Sequence, residues 1–190
     1  MVSADSGEKT TLFYHILSQP SRSAMTILDI VGKPYETRMV DLLRREQDTP
    51  EMVKLNPSKT VPAINEVNGN DVFHLSESGA IMRYLVEKNN LPDHWYPKDF
   101  KKRAAVNRYM DAHTSEVRAK LTGYFGRKVM YPMQGIQVPP EELKLWEGKM
   151  HDALGALNKK LTTQTWIAGT DEISIADIAC QNEVAQLFLT

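Results

Sequence analysis

The apolar pattern of this chain changes period once, near Asp99, and that change restricts the folds open to it. Before it, short β-rich runs alternate with helical stripes; beyond it, apolar residues recur at helical spacing over long stretches. A mixed stretch followed by a helix-only stretch calls for two domains, an α/β domain and then an all-α domain.

Residues 11–16 (TLFYHI) are rich in β-formers. Residues 20–31 follow as a helix with Ala24, Ile27, Leu28 and Val31 on one stripe, Gly32 ends it, and residues 35–40 read as a second strand. A β-α-β unit of this kind closes with its strands parallel. After an irregular segment, Val61-Pro62-Ala63-Ile64 opens another strand. Asn68-Gly69 then lies between two apolar runs and marks a hairpin, because both residues tolerate the positive φ of a type I′ turn. Residues 78–88 carry Ile81, Met82 and Leu85 at helical spacing. Residues 1–10, polar and acidic, read as a disordered tail, so the first domain is expected over 11–90.

Residues 91–98 (LPDHWYPK) have two prolines and no clean period, and read as the linker. The remainder, 99–190, is helical. One stripe runs Val106, Met110, His113, Val117, Leu121, Tyr124; after Pro139-Pro140 another runs Leu143, Trp146, Met150, Leu154, Leu157, Leu161, and both are expected in the core. Ser174-Ile175-Ala176-Asp177 is a capping box that opens the last helix.

Composition narrows the function. With 23 basic and 24 acidic residues in 190, the net charge is -1, which offers no field for nucleic acid or an anionic membrane. No segment reaches the ~18 apolar residues of a membrane span, and the start lacks the pattern of a secretory signal. The one cysteine, Cys180, excludes an intrachain disulfide and a Cys-x-x-Cys pair, which fits a reducing, cytoplasmic setting. Cys180 and His113 fall among apolar residues and read as packed side chains; the five histidines show no short ligand spacing, so no metal is expected. Lys101-Lys102-Arg103 reads as a solvated helix face.

Three places carry candidate chemistry. Ser18 follows the first strand and precedes the first helix, where ligands of open α/β sheets bind and helix N–H groups are free. It is either a plain N-cap or a hydroxyl that donates to a bound thiol and favours the thiolate. Without a G-x-S-x-G elbow it is not read as a nucleophile. Val61-Pro62 heads a strand; the bond is either an ordinary trans one or a cis bond that frees Val61 N–H and C=O to pair with an extended peptide. Glu77-Ser78 precedes a helix near Gly79, so Ser78 is either a cap or, with the helix N–H groups, a carboxylate site beside a Glu77 that takes an ammonium.

The segments LSQPSR, NPSKTVPAI, LSESGAI, DHWYPKD and SIADI, in this order and spacing, resemble the cytosolic glutathione transferases, most of all the theta class. The resemblance runs from about Thr11 to the end. It implies a thioredoxin-like domain followed by an all-helical domain, glutathione as co-substrate, and a homodimer. By position, Ser18 resembles the serine that hydrogen-bonds the glutathione sulfur, Val61 before a cis Pro62 the backbone partner of the cysteinyl part, and Glu77 and Ser78 the pair on the γ-glutamyl group. Gln47 and Thr60 stand where the theta class often has a histidine and a lysine near the glycyl end; these substitutions remove positive charge, with Lys59 adjacent as a replacement. The chain stops inside the helix opened by Ser174, whereas the family continues with further helices. The C-terminal domain is thus expected to be incomplete and Ile178, Val184 and Leu187 to lose part of their cover.

The implied activity is conjugation of glutathione thiolate to small electrophiles such as halides and epoxides, with peroxide reduction as a related reaction. The competing reading is a non-catalytic assembly module of the same fold, from which the ligand set at Ser18, Val61, Glu77 and Ser78 distinguishes it.

Overall fold

A computed structural model of the chain describes residues 7–190. Most of the tail expected over 1–10 lies outside the described residues. Within them, β1 (Lys9–Tyr14) begins two residues before the strand expected from Thr11. α1 (Gln19–Val31) starts where local chemistry directs it: Ser18 is extended at the N-cap (φ −85°, ψ 113°), its side chain accepts from Ser21 N–H, and Pro20 sits in the first turn. Gly32 ends the helix in the left-handed region at φ 70°.

β2 (Glu36–Met39) pairs parallel with β1, Thr11 opposite Glu36 and Tyr14 opposite Met39. The segment read as irregular contains a 3-10 turn at Glu46–Asp48 and a short helix, α2 (Pro50–Leu55), capped by Thr49 and burying Met52 and Leu55. Six residues present too little of a helical period to stand out in the sequence.

β3 (Ala63–Asn68) and β4 (Asp71–Ser76) form the expected hairpin, but Asn68 pairs with Asp71. The two loop residues are therefore Gly69 and Asn70, one position later than Asn68-Gly69. Gly69 takes the positive φ (60°), the placement of a type II′ rather than a type I′ turn. α3 (Ser78–Lys88) follows. The sheet order is β2-β1-β3-β4, with β3 antiparallel to β1.

Adjacent residues of β1 point to opposite faces of this sheet. On one face Leu12 and Ile64, paired in register, are fully buried, and α1 and α3, which pack on β1 and β3, bury Ala24, Ile27, Leu28, Ile81, Met82 and Leu85. On the other, Phe13 and Ala63 join Val40, Met52, Leu55 and Val61 beneath α2. Each fully buried Val, Leu, Ile, Phe or Met side chain contributes about 1.5–3 kcal/mol relative to exposure.

Contacts divide the chain between Leu91 and Pro92 into two compact units. In the second, the segment read as linker is folded: Asp93 accepts from Lys98 N–H at 3.0 Å, His94 Nδ1 lies 2.8 Å from Ile173 O, and Tyr96 O–H donates to Asn107 at 3.1 Å. Arg103 donates to Pro97 O at 2.6 Å and stacks on the Tyr96 ring, so it is not simply solvated.

α4 (Phe100–His113), α5 (Ala119–Phe125) and α6 (Tyr131–Met133) are joined by π-helical turns at Thr114–Arg118 and Gly126–Met130. Val106, His113, Val117, Leu121 and Tyr124 of the expected stripe are buried, Met110 is half-buried, and Tyr109 and Phe125 join the core. α7 (Pro140–Leu161) buries Met150, Ala153 and Leu157; of the rest of the expected stripe, Leu143, Trp146 and Leu154 are half-buried, and Leu161, at its end, is 47% exposed.

α8 (Ile175–Ala185) opens with the capping box: Ser174 Oγ accepts from Ala176 N–H, and Asp177 from Ser174 N–H at 2.9 Å. The second Asp177 oxygen accepts from Ile167 N–H at 2.8 Å, so the cap also pins the preceding loop. Ile178, expected to lose cover, is 5% exposed; Val184 and Leu187 are half-buried. Glu183, fully buried on α8, receives Arg118 Nε at 2.9 Å and Thr122 O–H at 2.9 Å, with His113 Nε2 at 3.4 Å. Burial alone would raise its carboxyl, but His113 and Arg118 hold it below the usual range.

Candidate functional site

Strand register gathers the candidates. Phe13 faces Ala63 across β1 and β3, and Ala63 faces Ser76 across β3 and β4. The end of β1, the start of β3 and the end of β4 therefore meet at one end of the sheet. Ser18, Val61 and Glu77-Ser78 continue from those three strand ends and emerge together.

Ser18 is half-buried at the head of α1. Its Oγ accepts from Ser21 N–H at 3.3 Å and donates to Val61 O at 3.5 Å. The donated bond is long, so the hydroxyl proton is weakly held and available to a better acceptor. The His15 ring nitrogen Nδ1 accepts from Leu17 N–H at 3.2 Å rather than serving as a base for Ser18. Arg22 donates to Ile16 O at 2.8 Å, which keeps a guanidinium beside the loop that carries Ser18. A hydroxyl donor, a helix N-terminus and a cation together favour an anion, a thiolate included.

The peptide bond Val61–Pro62 is cis. Val61 precedes β3 and takes part in neither ladder, so its backbone is not committed to the sheet. The loop leading to it is braced by Asn56, only 1% exposed, whose Nδ2 donates to Thr60 O at 2.8 Å and Thr60 Oγ1 at 3.1 Å and whose Oδ1 accepts from Ser58 N–H at 3.0 Å. Thr60 accepts in these bonds and keeps its own O–H to donate.

The helix α3 begins at Ser78, as its apolar stripe predicts, and Glu77 rather than Ser78 occupies the N-cap, at φ 68°. The Glu77 side chain makes no capping bond, so it leaves the first-turn N–H groups to another acceptor. Ser78 is buried at 8% exposure, and Glu77 is exposed. A left-handed glutamate is a strained backbone at a site edge.

Gln47 lies in the 3-10 turn at Glu46–Asp48, next to Asp48. Asp48 Oδ2 accepts from Arg45 Nε at 2.7 Å, and Asp48 Oδ1 lies 3.6 Å from Lys59 Nζ. The Arg45 hydrogen bond, with Lys59 adding less, holds the Asp48 carboxyl below the usual range. Gln47 Oε1 is buried and meets no hydrogen-bond partner among the described residues. Lys59 takes a left-handed backbone at φ 55°.

Sequence reasoning missed Asn56, Asp48 and Arg22. The Asn56-Pro57 pair was a turn signal that could have revealed the first; Asp48 and Arg22 matter only through partners that the fold supplies. Cys180 is buried, and burial pushes its thiol up, against a smaller opposing pull from Tyr109. Among the described residues, no three His, Cys, Asp or Glu side chains gather as a metal site.

Residues 8–87 match the family model described as Glutathione S-transferase, N-terminal domain. The chain is 34% identical to glutathione S-transferase theta-2 of Rattus norvegicus over 176 residues, 92% of this chain and 70% of that protein. It is 32% identical to glutathione S-transferase theta-1 of Homo sapiens over 175 residues, 91% of this chain and 71% of that protein. Human glutathione transferase theta-2, solved in complex with glutathione and an unknown ligand, superposes with a TM-score of 0.84 at 33% identity, covering 94% of this chain and 72% of that one. A human theta-class transferase in complex with the glutathione conjugate of 1-menaphthyl sulfate gives 0.84 at 32% identity, covering 95% and 72%.

Proposed function

This chain belongs to the glutathione S-transferase family, and from that membership we propose that the sheet end carrying Ser18, Val61, Glu77 and Ser78 holds glutathione, with Ser18 donating its O–H to the sulfur. The chain is a transferase that joins the glutathione thiolate to an electrophile. The observation that supports the site reading is the 3.5 Å contact from Ser18 Oγ to Val61 O, a weakly used donor beside a backbone that neither strand ladder engages.

A free thiol has a pKa of about 8.5, so at neutral pH only a small fraction is thiolate. The Ser18 O–H, the N-terminus of α1 and Arg22 lower that value for the bound thiol. Val61 N–H and C=O pair with the cysteinyl part as an added strand would. The Glu77 carboxylate takes the γ-glutamyl ammonium, and Ser78 with the first N–H groups of α3 takes its carboxylate. Gln47, Lys59 and Thr60 lie toward the glycyl end.

The thiolate then attacks an electrophilic carbon: a sulfur–carbon bond forms as a halide leaves, or an epoxide carbon–oxygen bond opens and its oxygen takes a proton from water. Small halides and epoxides are the proposed electrophiles, with hydroperoxides reduced by the same thiolate. We place the protein in the cytoplasm as a homodimer; its single cysteine suits a reducing compartment, and among the described residues no helix is long and apolar enough to cross a membrane.

The test is glutathione binding by calorimetry and thiolate ultraviolet absorbance, followed by rates on a panel of alkyl halides, epoxides and hydroperoxides. Binding with an absorbance that Ser18→Ala diminishes is expected. Unchanged conjugation in Ser18→Ala would remove Ser18 from its role, and absence of glutathione binding would favour an assembly module.

A further inference from the structure

We propose that Asp48 occupies Lys59 and so makes the site nearly indifferent to the C-terminal carboxylate of its thiol peptide, admitting glutathione derivatives that lack this charge as comparable substrates. The inference rests on the reading that glutathione binds at the sheet end beside Val61. The residues toward its glycyl end are neutral at Gln47 and Thr60, and the positive charge stands at Lys59. That ammonium lies 3.6 Å from Asp48 Oδ1, while Asp48 Oδ2 is 2.7 Å from Arg45 Nε; Arg44, in turn, is 3.5 Å from Asp41. Arg44, Arg45 and Lys59 thus each have an acidic partner already.

A carboxylate arriving at Lys59 must share the cation with Asp48 and is repelled by it. Lys59 is 51% exposed, where an ion pair is weak to begin with, so the shared cation leaves little net attraction. Asp48 is charged throughout the neutral range, because Arg45 holds its carboxyl low. Neutral groups remain to meet the peptide end: the Thr60 O–H and the Gln47 amide, whose buried Oε1 has no hydrogen-bond partner among the described residues. Either orientation of that amide serves a neutral terminus.

The experiment compares kcat/KM for glutathione and for its glycyl monoethyl ester in the wild type, Asp48→Asn, Lys59→Gln and the double variant, at low salt. In the wild type the two substrates should agree within about threefold. Asp48→Asn should lower KM for glutathione about two- to fivefold but leave KM for the ester, and this gain should vanish with Lys59→Gln and shrink at high salt. Lys59→Gln alone should change the glutathione-to-ester ratio less than about twofold, because Asp48 already answers that charge. Asp171→Asn, which removes equal charge from the Lys102 pair in the second unit, should leave the ratio as it was.

The proposal is overturned if the wild type prefers glutathione over the ester by about tenfold or more, if Asp48→Asn raises KM or shifts both substrates alike, or if Lys59→Gln alone abolishes a strong preference. If the wild type binds no glutathione, the site reading falls and the proposal with it. Normal wild-type binding with an inert Asp48→Asn overturns the proposal alone.

Discussion

Ser18 Oγ and the carbonyl oxygen of Val61 stand 3.5 Å apart although 43 residues separate them in the chain. The contact is at the outer limit of a hydrogen bond, so replacing it with a bond to a thiolate gives up little. Ser18→Ala should lower conjugation kcat by about 10²-fold, the usual effect of losing one donor to a developing or bound anion. Ser18→Thr, which keeps a hydroxyl, should recover a measurable part of it. Steady-state rates with saturating glutathione decide this.

Asn56 ties Thr60 to the loop before Val61 by two donated bonds and is almost fully buried. Asn56→Ala leaves the Thr60 carbonyl without its partner and should cost about 1–3 kcal/mol of stability. Because the same loop presents Val61, KM for glutathione should rise as well. Urea unfolding and steady-state kinetics on one preparation separate the two effects.

Gly123 lies against Trp146 so closely that a Cβ there would fall 2.1 Å from the ring. The ring is held by the Arg127 guanidinium 4.1 Å from its centroid and by Lys149 Nζ at 4.2 Å, so it has little room to retreat. Alanine gains up to about 1 kcal/mol of helix propensity over glycine, but overpacking costs about 1–3 kcal/mol. Gly123→Ala should therefore be destabilising, and Trp146 fluorescence in a urea titration reports it.

Glu183 carries a folded-state pKa below its ordinary value, because His113 and Arg118 outweigh the opposing effect of burial. A depressed carboxyl contributes stability that is fully present above its unfolded pKa of about 4.3 and is lost as pH falls through the lower folded value. Glu183→Gln should cost about 3 kcal/mol at neutral pH, since it leaves Arg118 facing a neutral amide. The stability gap between wild type and variant should stay level down to about pH 5 and close below about pH 4. Urea titrations across that range test the sign.

Cys180 is buried, and its thiol is pushed up by burial. A thiol-disulfide reagent should modify it at least about tenfold more slowly in the folded protein than in urea. Fast modification without denaturant would place the thiol at the surface instead.

Features governed by near neighbours in the chain were legible in the sequence. The limits of α1 follow from Ser18, Pro20 and Gly32, and the start of α8 from Ser174 and Asp177. The π-helical turn at Thr114–Arg118 left the sequence stripe through His113, Val117 and Leu121 intact, and these residues are buried. Helix α2 was too short to show a period, and the hairpin turn moved one residue because ladder register, rather than the Asn-Gly pair, chose Gly69 and Asn70. At the proposed site, the residue types were readable at Ser18, Val61, Glu77 and Ser78. Asp48 was not, since nothing local distinguishes an acid that meets a lysine from one that meets water.

The sequence by itself determined the order of strands and helices and the chemical groups available to the site, because periodicity, caps and turn residues act within a turn or two of chain. The tertiary structure alone decided which groups meet. Sheet register carries Ser18 to Val61, the loop fold delivers Lys59 to Asp48, and burial of Glu183 recruits Arg118 from 65 residues away. Such meetings require closing long stretches of chain, and only the cooperative packing of the sheet and helices offsets that entropy.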